Sequence, residues 1–165
     1  MNLGATAPDD WGGYYAWGEC VTKKIYNLTT CIHYRNGELQ HIGDDISSTE
    51  YDAAHVCWGD GWHLPNKQQV EELIRFTTQK VTIVNGVTGC EFRSKKNGNT
   101  IFLPLSGVVG NQTVQRLQGA GYYWTSVQHP EYKGSAYIML LVGDKVTLDS
   151  NGRNWGHSIR PVCSK

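Results

Sequence analysis

The chain has 165 residues, enough for one domain with a substantial core and too few for two generous ones. Fifteen basic residues balance fifteen acidic ones, and no basic run exceeds the pairs Lys23-Lys24 and Lys95-Lys96. Phosphate binding relies on concentrated positive charge, so nucleic acid is not an expected partner. No apolar run approaches the roughly 18 residues of a membrane span, and no membrane insertion by this domain is expected.

Nineteen Gly, six Trp and nine Tyr suggest a loop-rich fold of short strands that displays aromatic side chains. Such side chains recur at recognition surfaces because they offer large contact area at low entropic cost. Gly12 to Trp17 and Thr30 to Tyr34 read as strand candidates, with Asn36-Gly37 as a turn. Ser47-Ser48-Thr49-Glu50 has the form of a capping box, which predicts a helix from about Ser48 to Cys57 with Tyr51, Ala54, Val56 and Cys57 on its core face. The Gly- and Pro-broken stretch from Cys57 to Pro65 reads as a packed connector. Asn66 with Gln69 announces a second helix whose stripe is Val70, Leu73, Ile74 and Thr77.

From Lys80 onward the pattern is one of short strands. Val81 to Val84 and Thr88 to Phe92 flank Asn85-Gly86, and Ile101 to Leu105 follows Asn97-Gly98. Tyr122 to Ser126, Ala136 to Val142, Lys145 to Leu148 and Ser158 to Cys163 complete the set, with turns at Gly143-Asp144 and Asn151-Gly152. Two helices and several short antiparallel strands argue an α+β class in a single domain over residues 1–165.

Six motifs in order carry a resemblance over nearly the whole chain. They are Asn2 to Pro8 with Tyr14 to Glu19, Trp62-His63-Leu64-Pro65, Ile101 to Pro104, Gly121 to Ser126 and Ser158 to Val162. The chain thereby resembles the Fibrobacter succinogenes major paralogous domain family, abundant in Bacteroidetes and gut phages. The resemblance implies a C-type-lectin-like fold of the formylglycine-generating-enzyme-like subclass. It further implies an adhesin or receptor-binding protein on a bacterial cell surface or phage virion, with an unidentified protein or glycan on a cell surface as ligand. Some members resemble the hypervariable proteins of diversity-generating retroelements, which places a variable ligand-binding segment at 121–162. Carried over by position, the exposed candidates are Val127, His129, Tyr132, Lys133, Ile138, Leu140, Asn151, Gly152, Asn154, Trp155 and His157. Trp155, Tyr132 and His157 are the expected energetic centre. Ile138 and Leu140 alternate with Tyr137, Met139 and Leu141, and alternation alone leaves open which set faces the core.

Five cysteines, Cys20, Cys31, Cys57, Cys90 and Cys163, form no CxxC, and their odd number leaves at least one free or paired with another chain. The resemblance implies a disulfide between Cys57 and Cys163, with Cys20 and Cys31 as a second pair. Calcium-dependent sugar binding lacks its Glu-Pro-Asn, Gln-Pro-Asp and Trp-Asn-Asp triplets, Leu64-Pro65-Asn66 being the nearest approach. A copper oxidase of the related enzymes needs a close cysteine pair, and the C-terminal region holds Cys163 alone. His55-x-Cys57 with His63 is an incomplete zinc set. No nucleophile triad or phosphate loop stands out, so a non-enzymatic protein without metal or cofactor is expected. A structural module of a surface or virion assembly, with no dedicated ligand, is the alternative.

Overall fold

The computed structural model describes residues 1–115 and 119–164. A 3-10 turn (Leu28–Thr30) precedes the hairpin β1 (Tyr34–Arg35) and β2 (Glu38–Leu39). Helix α1 (Ala53–Trp58), β3 (Trp62–His63) and α2 (Lys67–Phe76) follow. Then come β4 (Thr77–Val84), β5 (Val87–Ser94), β6 (Thr100–Pro104), β7 (Val108–Gly110) and β8 (Thr113–Gln115). The chain closes with β9 (Ala120–Gln128), β10 (Ser135–Val142), β11 (Lys145–Gly152) and β12 (Val162–Cys163). All pairings between these strands are antiparallel, and with two helices the class is α+β.

Turn chemistry sets the registers. Asn85 and Gly86 have φ of 49° and 81°, the paired positive values of a two-residue hairpin turn, and they close β4 on β5 from Val84↔Val87 to Thr77↔Ser94. Asn36-Gly37 does the same for β1 and β2, and Gly143, at φ 58°, opens the turn between β10 and β11. The predicted Asn151-Gly152 turn does not form. Both residues extend β11 opposite Ala136 and Ser135, because the β10–β11 ladder runs past them before the chain bends.

Helix α2 begins where its capping box places it. Asn66 Oδ1 accepts from Gln69 N and Gln69 Oε1 accepts from Asn66 N, each at 2.9 Å. Val70 is buried, Leu73 and Ile74 pack beside it, and Thr77 Oγ1 donates to Leu73 O. Helix α1 departs from expectation. Ser48 takes a positive φ of 58°, the residues before Asp52 form turns, and Asp52 is the N-cap. Its Oδ1 accepts from Ala54 N and His55 N while Oδ2 accepts from Ser48 N and Leu64 N. One buried carboxylate thus satisfies four N–H groups, which a cap at Ser47 could not do. The short helix turns Ala53 and Ala54 inward, and Val56 and Cys57 are exposed instead of forming its core face.

The first third contributes bridges in place of the two predicted strands. Tyr15 pairs singly with His157, and the Thr30 region is the 3-10 turn. The connector from 57 to 65 includes β3, which pairs with β12, and its two indoles, Trp58 and Trp62, meet edge to face at 4.9 Å. The ends of the chain come together: Leu3 N donates to Ile159 O at 2.9 Å, and Arg160 Nε donates to Asn2 Oδ1 at 2.9 Å.

The sheet β11-β10-β9 is covered on both sides. Trp124, Ala136 and Ile138 pack into one apolar cluster with Leu3, Trp17 and Leu64. Tyr123, Met139 and Leu141 pack into a second cluster with Val70, Phe92 and Leu103. Both alternating sets of β10 therefore face a core, which explains why both are apolar. Two buried indoles tie the first cluster to the backbone: Trp17 Nε1 donates to Thr125 O and Trp124 Nε1 donates to Tyr15 O.

All five cysteines are free thiols. Cys57 and Cys163 are not bridged. The end of α1 carries Cys57 Sγ to 3.7 Å from the Cys20 carbonyl, whereas β12 holds Cys163 opposite Trp62. Cys20 and Cys31 are likewise unbonded.

Candidate functional site

The end of the β10–β11 hairpin away from Gly143 gathers the exposed members of the C-terminal segment. Ser135 pairs with Gly152 there, and Arg153 N donates to Gly134 O at 2.9 Å, so the loop after β9 and the loop after β11 lie side by side. His129 Nδ1 accepts from the backbone N–H groups of Glu131 and Tyr132, both at 3.2 Å. A nitrogen that accepts is unprotonated, so the neutral ring carries its proton on Nε2. Fixed in this way, the imidazole stacks on Tyr137 (centroids 5.1 Å apart, 29° between planes) and leans on Tyr132 at 4.7 Å. Lys67 Nζ sits 4.1 Å from the Tyr137 centroid, a cation–π contact reaching over from the first turn of α2. Tyr132 is 64% exposed and Lys133 is exposed beside it.

Trp155 forms the other part of this surface. Its half-buried indole lies on Gly110 and Gly152, and a Cβ at Gly110 would come within 2.2 Å of the ring atom Cζ3. Glycine at 110 is thus the seat of the indole. Gly110→Ala is expected to push Trp155 off that seat, with a red-shifted tryptophan emission and a loss of about 1–3 kcal/mol in urea unfolding. An unshifted emission would show that the indole does not rest there. Asn151, Gly152 and Asn154 are half-buried in the same stretch, and Val127 is half-buried where its backbone bridges Asp45.

Three expected contact residues lie elsewhere. Ile138 is only 2% exposed and faces Trp124 in the first cluster, and Leu140, one pleat on, packs against the same cluster. His157 has no exposed surface. Its backbone pairs on both sides with Tyr15, which draws the ring inside to stack on Tyr122 at 5.5 Å and tilt against Trp124 at 4.2 Å. Neither ring nitrogen has a hydrogen-bond partner, and burial, opposed weakly by the Gly156 backbone, pushes its pKa down to about 3. It is a neutral core aromatic and offers no surface for contact, which leaves Trp155 and Tyr132 of the three residues expected at an energetic centre. His63, the third member of the incomplete zinc set, is committed at both nitrogens, Nδ1 to Leu64 O and Nε2 to Ser164 Oγ. Among the described residues no group of three His, Cys, Asp or Glu side chains converges to hold a metal.

Sequence reasoning missed three residues that build this surface: Lys67, Tyr137 and Arg153. Arg153 is wholly buried, stacks 4.8 Å from the Trp17 ring, and donates from Nη1 to Gln40 O and Lys133 O, pinning the exposed loop to the interior. Its Nε and Nη2 are unpaired, and burial holds its pKa below the usual guanidinium range. Arg153 follows the predicted Asn151-Gly152 turn, and nothing in its sequence neighbours signals burial.

The chain was compared with protein-family models, with curated proteins and with solved structures, and it matches none of them.

Proposed function

We propose that this chain is a ligand-binding domain of C-type-lectin-like fold, an adhesin or receptor-binding module whose C-terminal third presents a variable surface on a rigid frame. The order of two helices followed by a central antiparallel sheet, with chain ends joined at Leu3 and Ile159, supports the lectin-like reading. One observation carries the function: exposed Tyr132 and Lys133 stand over half-buried His129, Tyr137 and Lys67 in one aromatic and basic cluster, at the end of a sheet whose strands β9 and β10 pack on both faces. A frame so enclosed tolerates side-chain change at its rim without losing its backbone. Gly121 to Ser126 opens the segment and Arg160-Pro161-Val162 closes it, and most of these residues are buried. Between them Tyr132, Lys133, Asn151, Asn154 and Trp155 are the positions that diversification can reach, as in a retroelement variable protein. The surface recognises by complementarity, with no catalytic group, metal or cofactor, and its ligand is a protein or glycan on a cell surface. The natural setting proposed is a bacterial surface or a phage virion.

Arrays of glycans and panels of intact bacterial cells test this reading directly. Binding is expected to fall by about tenfold or more on Tyr132→Ala or Trp155→Ala. Tyr132→Ala is expected to leave the unfolding free energy within about 0.5 kcal/mol, since the side chain is largely solvated. Binding that both variants retain in full would remove this surface from the account. Absence of any binding, with Tyr132 protected from solvent in an assembled particle, would make the surface an assembly contact.

A further inference from the structure

A cavity of about 460 Å3 opens between α2, β6 and the segment leading into β12, and it shares no residue with the surface described above. Trp62, Val70, Leu73, Ile101, Met139 and Pro161 make its walls apolar. Arg160 and Glu72 are the charged side chains of the lining, beside Met1, and Arg160 is half-buried in the wall. Its Nε donates to Asn2 Oδ1 at 2.9 Å and its Nη2 to Phe102 O at 2.6 Å, while Nη1 has no acceptor among the described residues. No carboxylate among the described residues forms an ion pair with this guanidinium. The carboxylate of Glu72 at the rim is turned aside, accepting from Gln68 Nε2 at 2.9 Å.

A half-buried guanidinium fixed by two neutral acceptors and left without an ion-pair partner favours an anion wherever one can reach it. The walls restrict which anion. A phosphate or sulfate brings oxygens that apolar walls cannot satisfy, whereas a carboxylate on a hydrocarbon or aromatic body presents two acceptors to the arginine and apolar surface to the rest. The volume lies within the ordinary range of small-molecule sites, about 300–1,000 Å3.

We propose that this cavity binds a small apolar monocarboxylate, with the carboxylate on Arg160 Nη1 and the body between Trp62, Leu73 and Met139. The site is independent of the proposed recognition surface and stands or falls separately from it.

The test titrates octanoate and 3-phenylpropanoate into the intact chain by calorimetry and tryptophan fluorescence, with octanol and octylamine as matched neutral and cationic probes. Both carboxylates are expected to bind below about 1 mM, octanol about tenfold or more weaker, and octylamine not at all. Arg160→Gln is expected to abolish the preference for octanoate over octanol. Because that change also loosens Asn2, a second variant acts from the helix side: Leu73→Trp fills the cavity and is expected to remove binding of every probe. Octanol binding as tight as octanoate, no carboxylate binding by about 1 mM, or binding indifferent to Leu73→Trp would each overturn the proposal.

Discussion

Asp52→Ala is expected to cost more than about 3 kcal/mol of stability. The carboxylate is wholly buried and accepts from Ser48, Ala54, His55 and Leu64. Two of those bonds cap α1, one holds the turn before it, and the fourth reaches the strand-like segment at Leu64 beside the first apolar cluster. Alanine leaves the buried N–H groups with no partner and no route to water, at about 1–3 kcal/mol for each that stays enclosed. Asp52→Asn keeps one acceptor oxygen and replaces the other with a donor facing N–H groups, so it is expected to fall between wild type and alanine. Chemical denaturation checks both. A loss under about 1 kcal/mol for alanine would mean that the turn before α1 is held by other contacts.

His157→Phe is expected to flatten the acid side of the stability profile. In the unfolded chain this imidazole titrates near its ordinary value of 6.5, and in the fold burial sets it at about 3. Between those values the unfolded chain takes up a proton that the folded chain refuses. The group's contribution is therefore fully present above pH 6.5 and is lost as the pH falls from 6.5 towards 3, by on the order of 4 kcal/mol. Phenylalanine keeps the contacts with Tyr122 and Trp124 and removes both unpaired nitrogens, so at pH 7 the variant is expected to match or exceed wild type. Urea unfolding at pH 7, 5 and 4 would show the two proteins diverging as pH falls. Parallel profiles would show that the acid sensitivity lies in other groups.

Local signals in the sequence translated well where local chemistry decides structure. The Asn66/Gln69 capping box and the Asn36-Gly37 and Asn85-Gly86 turns appear where they were expected, because each depends on only a few neighbouring residues. The α1 boundary was misread because Ser47–Glu50 has the right spacing while the decisive acceptor, Asp52, serves partners as distant as Leu64. Burial of Ile138 and His157, and the packing of half-buried Leu140, were not legible because they depend on a second cluster covering the other face of the sheet, and on Tyr15 pairing across the chain. The site itself was half legible. Tyr132, Lys133 and Trp155 are proposed by position, and the fold leaves the first two exposed and the third half-buried, whereas Lys67 arrives from α2 and Arg153 supports from inside, contacts that no spacing announces.

The measurement that bears most directly on the proposed recognition surface is the sequence of this gene's 3′ end across a natural population. The account predicts amino-acid substitutions concentrated at Tyr132, Lys133, Asn151, Asn154 and Trp155, at adenines matched by a nearby template repeat, with Ile138, Arg153 and His157 held fixed by burial. Substitutions spread evenly over exposed and buried positions, or a segment 127–157 uniform in every isolate, would contradict a diversified surface on a rigid frame.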